Sequence, residues 1–211
     1  MIKGVIFDLD GVILSTDEYH YQAWKKLADR LKIPFDREKN NLLRGVSRME
    51  SLEIVLGGRK FSDEQKAEFA AEKNETYRAL LSEMTPDDVS DDVRNTIKAV
   101  KSRGIKTAIG SSSKNTKFIL ERVGMIDEFD AIADGNDIKK SKPDPEVFLV
   151  AAERINLSPS ECFVIEDALA GIDAASAGGF VPIAIGDAVK HPAAFKTIKR
   201  LSDILTIIDD K

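Results

Sequence analysis

The chain has 211 residues, 43% of them hydrophobic, which suits one large domain or a core with a smaller insertion. A net charge of −5 from interspersed acids and bases leaves no basic patch for nucleic acid or a membrane surface, so an anionic substrate must be recruited locally. The single cysteine, Cys162, excludes a disulfide within the chain, the N-terminal apolar run does not read as a secretory leader and no run reaches membrane length, so a cytoplasmic protein without a leader is expected.

The first stretch, Gly4-Val5-Ile6-Phe7, reads as a buried parallel strand that runs straight into Asp8-Leu9-Asp10-Gly11. Ligands bind beyond the carboxyl ends of the strands in open α/β sheets. Two carboxylates spaced i and i+2 there can hold a divalent cation or divide the roles of nucleophile and acid/base; equally, they can cap a helix or face water. Ser15 with Glu18 matches a capping box, which predicts a helix from about Thr16 that Pro34 ends. Tyr19, Ala23, Leu27 and Leu31 form one stripe of that helix, and Thr16, His20 and Trp24 a neighbouring one. From 36 to 84 no strand-like run occurs; helices are predicted over 38–43, 49–56 and 63–83, the last opened by a capping box of Ser62 with Gln65.

Beyond Thr85-Pro86 helix and strand alternate. A helix over 92–103 stops at Gly104, and a strand over 105–109 leads into the polar loop Gly110-Ser111-Ser112-Ser113-Lys114-Asn115. A helix to about Val123 and a strand over 129–133 follow, and Ser141-Lys142-Pro143-Asp144-Pro145 is predicted to open the next helix. The strand over 162–165, with Cys162 as a small buried hydrophobe, ends in Glu166-Asp167. A helix over 168–177, a strand over 181–185 and a helix over 202–208 complete the chain. Strands separated by helices predict a parallel sheet with right-handed crossovers. Residues 1–14 and 88–211 are then an α/β core, and 15–87 a helical cap over the sheet's carboxyl edge.

In such a sheet Asp8, Asp10, Ser111, Lys142, Glu166 and Asp167 converge on one edge. Acids at that density repel one another unless a cation holds them, and oxygen donors suit magnesium. Lys142, Ser111 and the loop amides suit a bound anion. Together they ask for a phosphoryl group.

These residues, in this order, resemble the four-motif signature of the haloacid dehalogenase superfamily, and the inserted helices resemble its helical-cap subgroup. The resemblance implies a Rossmann-like parallel sheet core with helices on both faces and an inserted all-helical cap. It implies that Asp8 becomes an aspartyl phosphate, that Asp10 is the general acid/base, and that Ser111 and Lys142 bind the transferring phosphate. One Mg²⁺ would be held by Asp8, the Asp10 carbonyl, Glu166 and Asp167.

Over nearly the whole chain the sequence is similar to the sugar-phosphate mutases of that subgroup. Phe7-Asp8-Leu9-Asp10-Gly11-Val12, Glu18-Tyr19-His20 with Ala23-Trp24, Gly45-Val46-Ser47-Arg48, Ser113-Lys114-Asn115, Phe129-Asp130-Ala131-Ile132-Ala133-Asp134 and Ala170-Gly171-Ile172 carry the likeness. It implies that Thr16, His20 and Trp24 line the hinge side of the cleft, with His20 close to the acid/base. Arg48, Ser113 and Asn115 would hold a second phosphate, residues 45–51 (Gly45, Val46, Ser47 and Ser51 among them) would contact the sugar, and Lys73 would reach in from the long cap helix. Arg44, Ser112 and Lys114 complete the implied substrate-binding set; Arg44 stands where a lysine is common, and Ser112 where a small apolar residue is. The implied reaction interconverts β-D-glucose 1-phosphate and D-glucose 6-phosphate through a β-glucose 1,6-bisphosphate intermediate. The rival readings are a Mg²⁺-dependent sugar-phosphate phosphatase of the same superfamily and a catalytically silent sugar-phosphate sensor. Small sugar phosphates are the expected partners, with no nucleic acid, no membrane and a monomeric chain.

Overall fold

The computed structural model describes residues 1–43 and 46–210. Arg44 and Gly45, both in the expected substrate-binding set, lie outside the described residues. One parallel sheet has the strand order β3-β2-β1-β4-β5-β6, with β1 Gly4–Phe7, β2 Lys106–Gly110, β3 Ala131–Ala133, β4 Cys162–Glu166, β5 Val181–Ala184 and β6 Lys196–Thr197. Among the described residues four α-helices follow β1 without an intervening strand: α1 Asp17–Arg30, α2 Arg37–Asn41, α3 Arg48–Leu56 and α4 Asp63–Leu81. The rest are α5 Asp91–Ser102, α6 Thr116–Arg122, α7 Glu146–Arg154, α8 Leu169–Ala177 and α9 Ile204–Asp209.

The sheet is apolar on both faces, as parallel sheets must be when helices cover each side. Val5 and Phe7 of β1 pack with Val93, Ile97 and Val100 of α5 on one face. Ile6 points the other way, into a cluster with Val147, Phe148 and Ala151 of α7 and Ala174 and Ala175 of α8. The burial of Cys162 in β4 pushes its thiol up to about 12, so it is a packing residue and not a nucleophile.

The helices α1–α4 build a third core of their own around Trp24, Leu27, Leu52, Val55, Leu56 and Phe69, with no residue from the sheet. Each such side chain contributes about 1.5–3 kcal/mol when buried, so the insert carries its own hydrophobic stabilisation. The two longest helices tie it to the sheet, since Ala23 of α1 and Tyr77 and Leu81 of α4 join the sheet-side cluster.

Several local expectations change. Helix α1 is not closed by Pro34: it ends at Arg30, where Lys32 turns into the left-handed region (φ 55°) and Ile33 N–H donates to the Ala28 carbonyl at 2.8 Å. The run Ser141–Pro145 is a turn, and α7 starts only at Glu146, whose N–H donates to Asp144 Oδ1 at 3.1 Å. The edge strand β6 is two exposed residues, too short and too polar to carry a hydrophobic pattern. At Ser62 the predicted capping box forms, with both of its hydrogen bonds present.

Candidate active site

The register decides where the acids meet. Phe7 of β1 pairs with Ile109 of β2 and with Ile165 of β4, so the next residue, Asp8, lies level with Gly110 and Glu166. Asp8 N–H extends the ladder by donating to the Ile165 carbonyl at 3.0 Å. The chain then turns tightly: Gly11 sits at φ +82°, a region that favours glycine, and its N–H donates to the Leu14 carbonyl at 2.7 Å. A β-carbon at Gly11 would lie 2.0 Å from Asp167 Oδ2, and one at Gly171 would lie 1.9 Å from the Glu166 carboxyl carbon. These two missing side chains make the space that the acids occupy.

Asp8, Glu166 and Asp167 each bring a carboxylate oxygen within 4.8 Å of the others. An oxygen-only set of this kind, in a cradle a methyl group would fill, fits a magnesium ion. Lys142 Nζ reaches the same place from the loop before α7, donating to Asp8 Oδ1 at 2.6 Å and to Glu166 Oε1 at 2.5 Å. Burial alone would push Lys142 down, but the Asp8 and Glu166 carboxylates outweigh it and hold the ammonium above its ordinary range. Burial raises Glu166, and Lys142 opposes that rise.

The Gly171→Ala variant sets helix propensity against this cradle. Alanine is the better helix former by about 1 kcal/mol, yet its methyl group cannot coexist with Glu166 where it stands. We expect the Mg²⁺ concentration needed for half-maximal activity to rise about 10–100-fold, as for other groups that orient a ligand. An unchanged Mg²⁺ titration would refute this.

The loop after β2 brings three hydroxyls, of Ser111, Ser112 and Ser113, to the same cleft. Ser111 Oγ accepts from Ser113 N–H at 3.2 Å, and Ser113 Oγ accepts from Asn115 N–H at 3.2 Å. With a lone pair of each oxygen occupied by a backbone donor, each O–H is left to donate. Ser112 Oγ is buried and has no partner among the described residues. An unpaired buried hydroxyl is costly unless a ligand completes it.

Asp10 is held on both oxygens by Thr16, whose N–H donates at 2.7 Å and whose hydroxyl donates at 2.6 Å. This corrects the expected Ser15–Glu18 capping box: the N-cap of α1 is Thr16, and its side chain serves Asp10 instead of the helix. Burial pushes the Asp10 carboxyl up to about 6, with the Thr16 hydrogen bonds pulling it partly back. A carboxyl in that range can both accept and return a proton near neutrality.

Beside it, His20 Nδ1 lies 2.8 Å from Lys73 Nζ. An ammonium can only donate, so Nδ1 is the acceptor of a neutral imidazole. The Tyr77 ring packs against His20 with centroids 4.1 Å apart and planes inclined by 31°, and Lys73 Nζ sits 4.4 Å from the Tyr77 centroid and 4.8 Å from that of Trp24. Burial, then the charges of Lys73 and Arg48, push His20 well below its usual range. Burial, with Arg48 adding, also lowers Lys73 well below its own. As pH falls through about 6.5 an unfolded histidine takes up a proton and the folded His20 does not, so stability present above that pH is lost below it. Denaturant titrations at about pH 7.5 and 5.5 are expected to show a larger loss in the wild type than in His20→Gln. Equal losses would place the histidine charge elsewhere.

All these groups line one cleft of about 460 Å³ between the sheet edge and the inserted helices. That volume is within the range of small-molecule sites. Asp8, Asp10, His20, Trp24, Val46, Ser47, Arg48, Ser51, Lys73, Ser111, Ser112, Ser113, Lys114, Asn115, Lys142, Glu166 and Asp167 all border it. Thr16 stands one step behind, through Asp10. The cleft also uses Asn40, Asn74 and Tyr77, which the sequence reading did not select. Ala70, Lys73, Asn74 and Tyr77 recur at helical spacing on α4, so this face could have been read as one stripe.

The model of the haloacid dehalogenase-like hydrolase family matches residues 2–179. The chain is 42% identical over 207 residues to the β-phosphoglucomutase of Bacillus subtilis (strain 168), covering 96% of this chain and 92% of that protein. It is 29% identical over 180 residues to the phosphorylated carbohydrates phosphatase of Thermotoga maritima, covering 84% and 82%. Among solved structures, the β-phosphoglucomutase of Clostridium difficile is similar with a TM-score of 0.93 at 40% identity, over 100% of this chain and 96% of that one. With the family model spanning residues 2–179 and a 42% identical relative matching 96% of its length, the chain belongs to the haloacid dehalogenase-like hydrolase family.

Proposed function

We propose that the chain is an intramolecular phosphotransferase that interconverts β-D-glucose 1-phosphate and D-glucose 6-phosphate. The observation that carries this reading is that one cleft holds two groups of anion-binding residues. Lys142 and Ser111 stand at Asp8, while Arg48 of the insert and Ser113, Lys114 and Asn115 of the loop lie along the same cleft. A phosphatase needs only the first group; a bisphosphate intermediate needs both.

In this reading phospho-Asp8 donates its phosphoryl group to the 6-hydroxyl of β-glucose 1-phosphate while Asp10 takes the hydroxyl proton. The P–O bond to Asp8 breaks as the bond to O6 forms, leaving β-glucose 1,6-bisphosphate. The intermediate turns over in the cleft and exchanges its two phosphates between the sites. Asp8 then attacks the 1-phosphate, Asp10 returns the proton to the departing O1, and glucose 6-phosphate leaves with phospho-Asp8 regenerated. One Mg²⁺, held by Asp8, the Asp10 carbonyl, Glu166 and Asp167, would neutralise charge on the transferring oxygens. Lys142 and Ser111 supply a cation and a donor to the same oxygens. The acyl phosphate must be kept from water, so the insert, residues 15–87, acts as a cap that closes over residues 1–14 and 88–211 when sugar is bound. The names of the β-phosphoglucomutases it is similar to support this substrate.

The test is turnover on β- against α-glucose 1-phosphate with Mg²⁺ and bisphosphate supplied, following glucose 6-phosphate and inorganic phosphate together. Glucose 6-phosphate formed from the β-anomer alone, ahead of phosphate release, is the expected result. Phosphate release without glucose 6-phosphate would make the protein a phosphatase like its Thermotoga relative.

A further inference from the structure

One contact across the cleft belongs to none of the four motifs. Asn115 Nδ2, in the loop after β2, donates to Asn74 Oδ1 of α4 at 3.0 Å. Asn115 is 5% exposed, and both amides border the cleft. The bond uses the acceptor of Asn74 and one N–H of Asn115. The Asn74 NH₂ makes no hydrogen bond to any described residue, and the second N–H of Asn115 is also left over. Both amides line the cleft, so the donors left over are available to a ligand there.

We infer that Asn74 is a binding residue for the second, non-transferring phosphate, donating to it through Nδ2 while its Oδ1 fixes the Asn115 amide to donate beside it. This deepens the mutase reading and rests on it. The chemistry of the surroundings favours a neutral donor at this position. Arg48 and Lys73 already crowd the insert side with positive charge, and each further cation there would repel them. An amide adds hydrogen bonds to a dianion without that repulsion. It also joins the two sides of the cleft, so the phosphate that engages both amides draws the insert onto the loop. Lys73 and Asn74 are adjacent on α4 but serve different ends of the substrate: the first meets His20 beside Asp10, the second meets the loop.

The substitutions Asn74→Ala and Asn74→Asp separate binding from mere bridging. Aspartate is isosteric and still accepts from Asn115 Nδ2, so it keeps the bridge; it removes the donor and puts a negative charge against the phosphate. A hydrogen bond to a charged group is worth about 1.5–3 kcal/mol, or roughly 10–100-fold in affinity. We expect KM for β-glucose 1,6-bisphosphate to rise about tenfold in Asn74→Ala and about 100-fold or more in Asn74→Asp, with kcat changed less than about threefold. Calorimetric titration of the bisphosphate into protein also carrying Asp8→Asn reads the same loss without turnover. That second measurement keeps the two claims apart: absence of mutase activity in the wild type overturns the functional reading, whereas affinity lost in Asn74→Asp still supports the role of Asn74. An Asn74→Asp protein within about twofold of wild type, with Asn74→Ala impaired, would make the pair a structural bridge and overturn the inference. Should Asn74→Ala fail to fold, the isosteric variant alone decides.

Discussion

Asp8→Asn is expected to abolish formation of glucose 6-phosphate and to abolish labelling by beryllium fluoride with Mg²⁺. Asp8 is hydrogen-bonded to Lys142 through Oδ1, which leaves Oδ2 to attack, whereas Asp10 has both oxygens engaged by Thr16, and Glu166 has one engaged by Lys142 and the other by Ala168 N–H. Loss of a covalent nucleophile costs on the order of 10⁶ in kcat when the rest of the site stays intact. It should stay intact here. An asparagine oxygen can still accept from Lys142 Nζ, so the buried ammonium keeps two partners and the fold keeps its central contact. Thermal melting of the variant, set beside rapid-quench assays for phosphorylated protein, separates chemistry from folding. Mutase turnover near the wild-type rate in a folded Asp8→Asn protein would sink the covalent mechanism.

The parts of the fold that were legible from sequence are those with a continuous physical cause. The apolar run of β1 had to be buried on both faces, and its abrupt end in two acids marked a strand end at which charge had a purpose. The absence of any strand pattern between β1 and α5 marked the insert as surely as a motif would. What escaped depended on the partner chosen in three dimensions. Ser15, Thr16 and Glu18 offered two ways to start α1, and only the approach of Asp10 decided that Thr16 would bond to the carboxylate. β6 has no hydrophobic signal because it borrows its hydrogen bonds from β5 and exposes both side chains.

The site shows the same division. That Asp8, Lys142, Glu166 and Asp167 meet was readable because each follows a strand or opens a loop at the same sheet edge. Asn74 and Tyr77 were not, because a neutral amide and a phenol on a mixed helix look like surface and core. Their place in the cleft comes from the face of α4 that the insert turns toward the loop after β2, a fact of packing that no local pattern carries.

Asp10→Asn is expected to lower mutase kcat by ~10²–10⁴, the usual contribution of a positioned acid/base, equivalent to about 3–5 kcal/mol of barrier. The geometry makes this a clean substitution. An asparagine can accept from Thr16 N–H through Oδ1 and donate to the Thr16 hydroxyl through Nδ2, so the turn keeps its shape and only the titrating proton is lost. The loss should therefore fall on kcat, with KM for β-glucose 1-phosphate little changed. It should also depend on the group being transferred. Phosphorylation of Asp8 by acetyl phosphate expels acetate, a leaving group stable as an anion that needs no proton from Asp10. Transfer to a sugar hydroxyl needs a base, and departure of a sugar alkoxide needs an acid. Asp10→Asn is thus expected to be phosphorylated by acetyl phosphate within about tenfold of the wild type while sugar transfer falls by the full factor. Equal losses in both reactions would show that Asp10 serves the Asp8 site as a whole, through charge or the magnesium ligands, and not as the group that moves the proton.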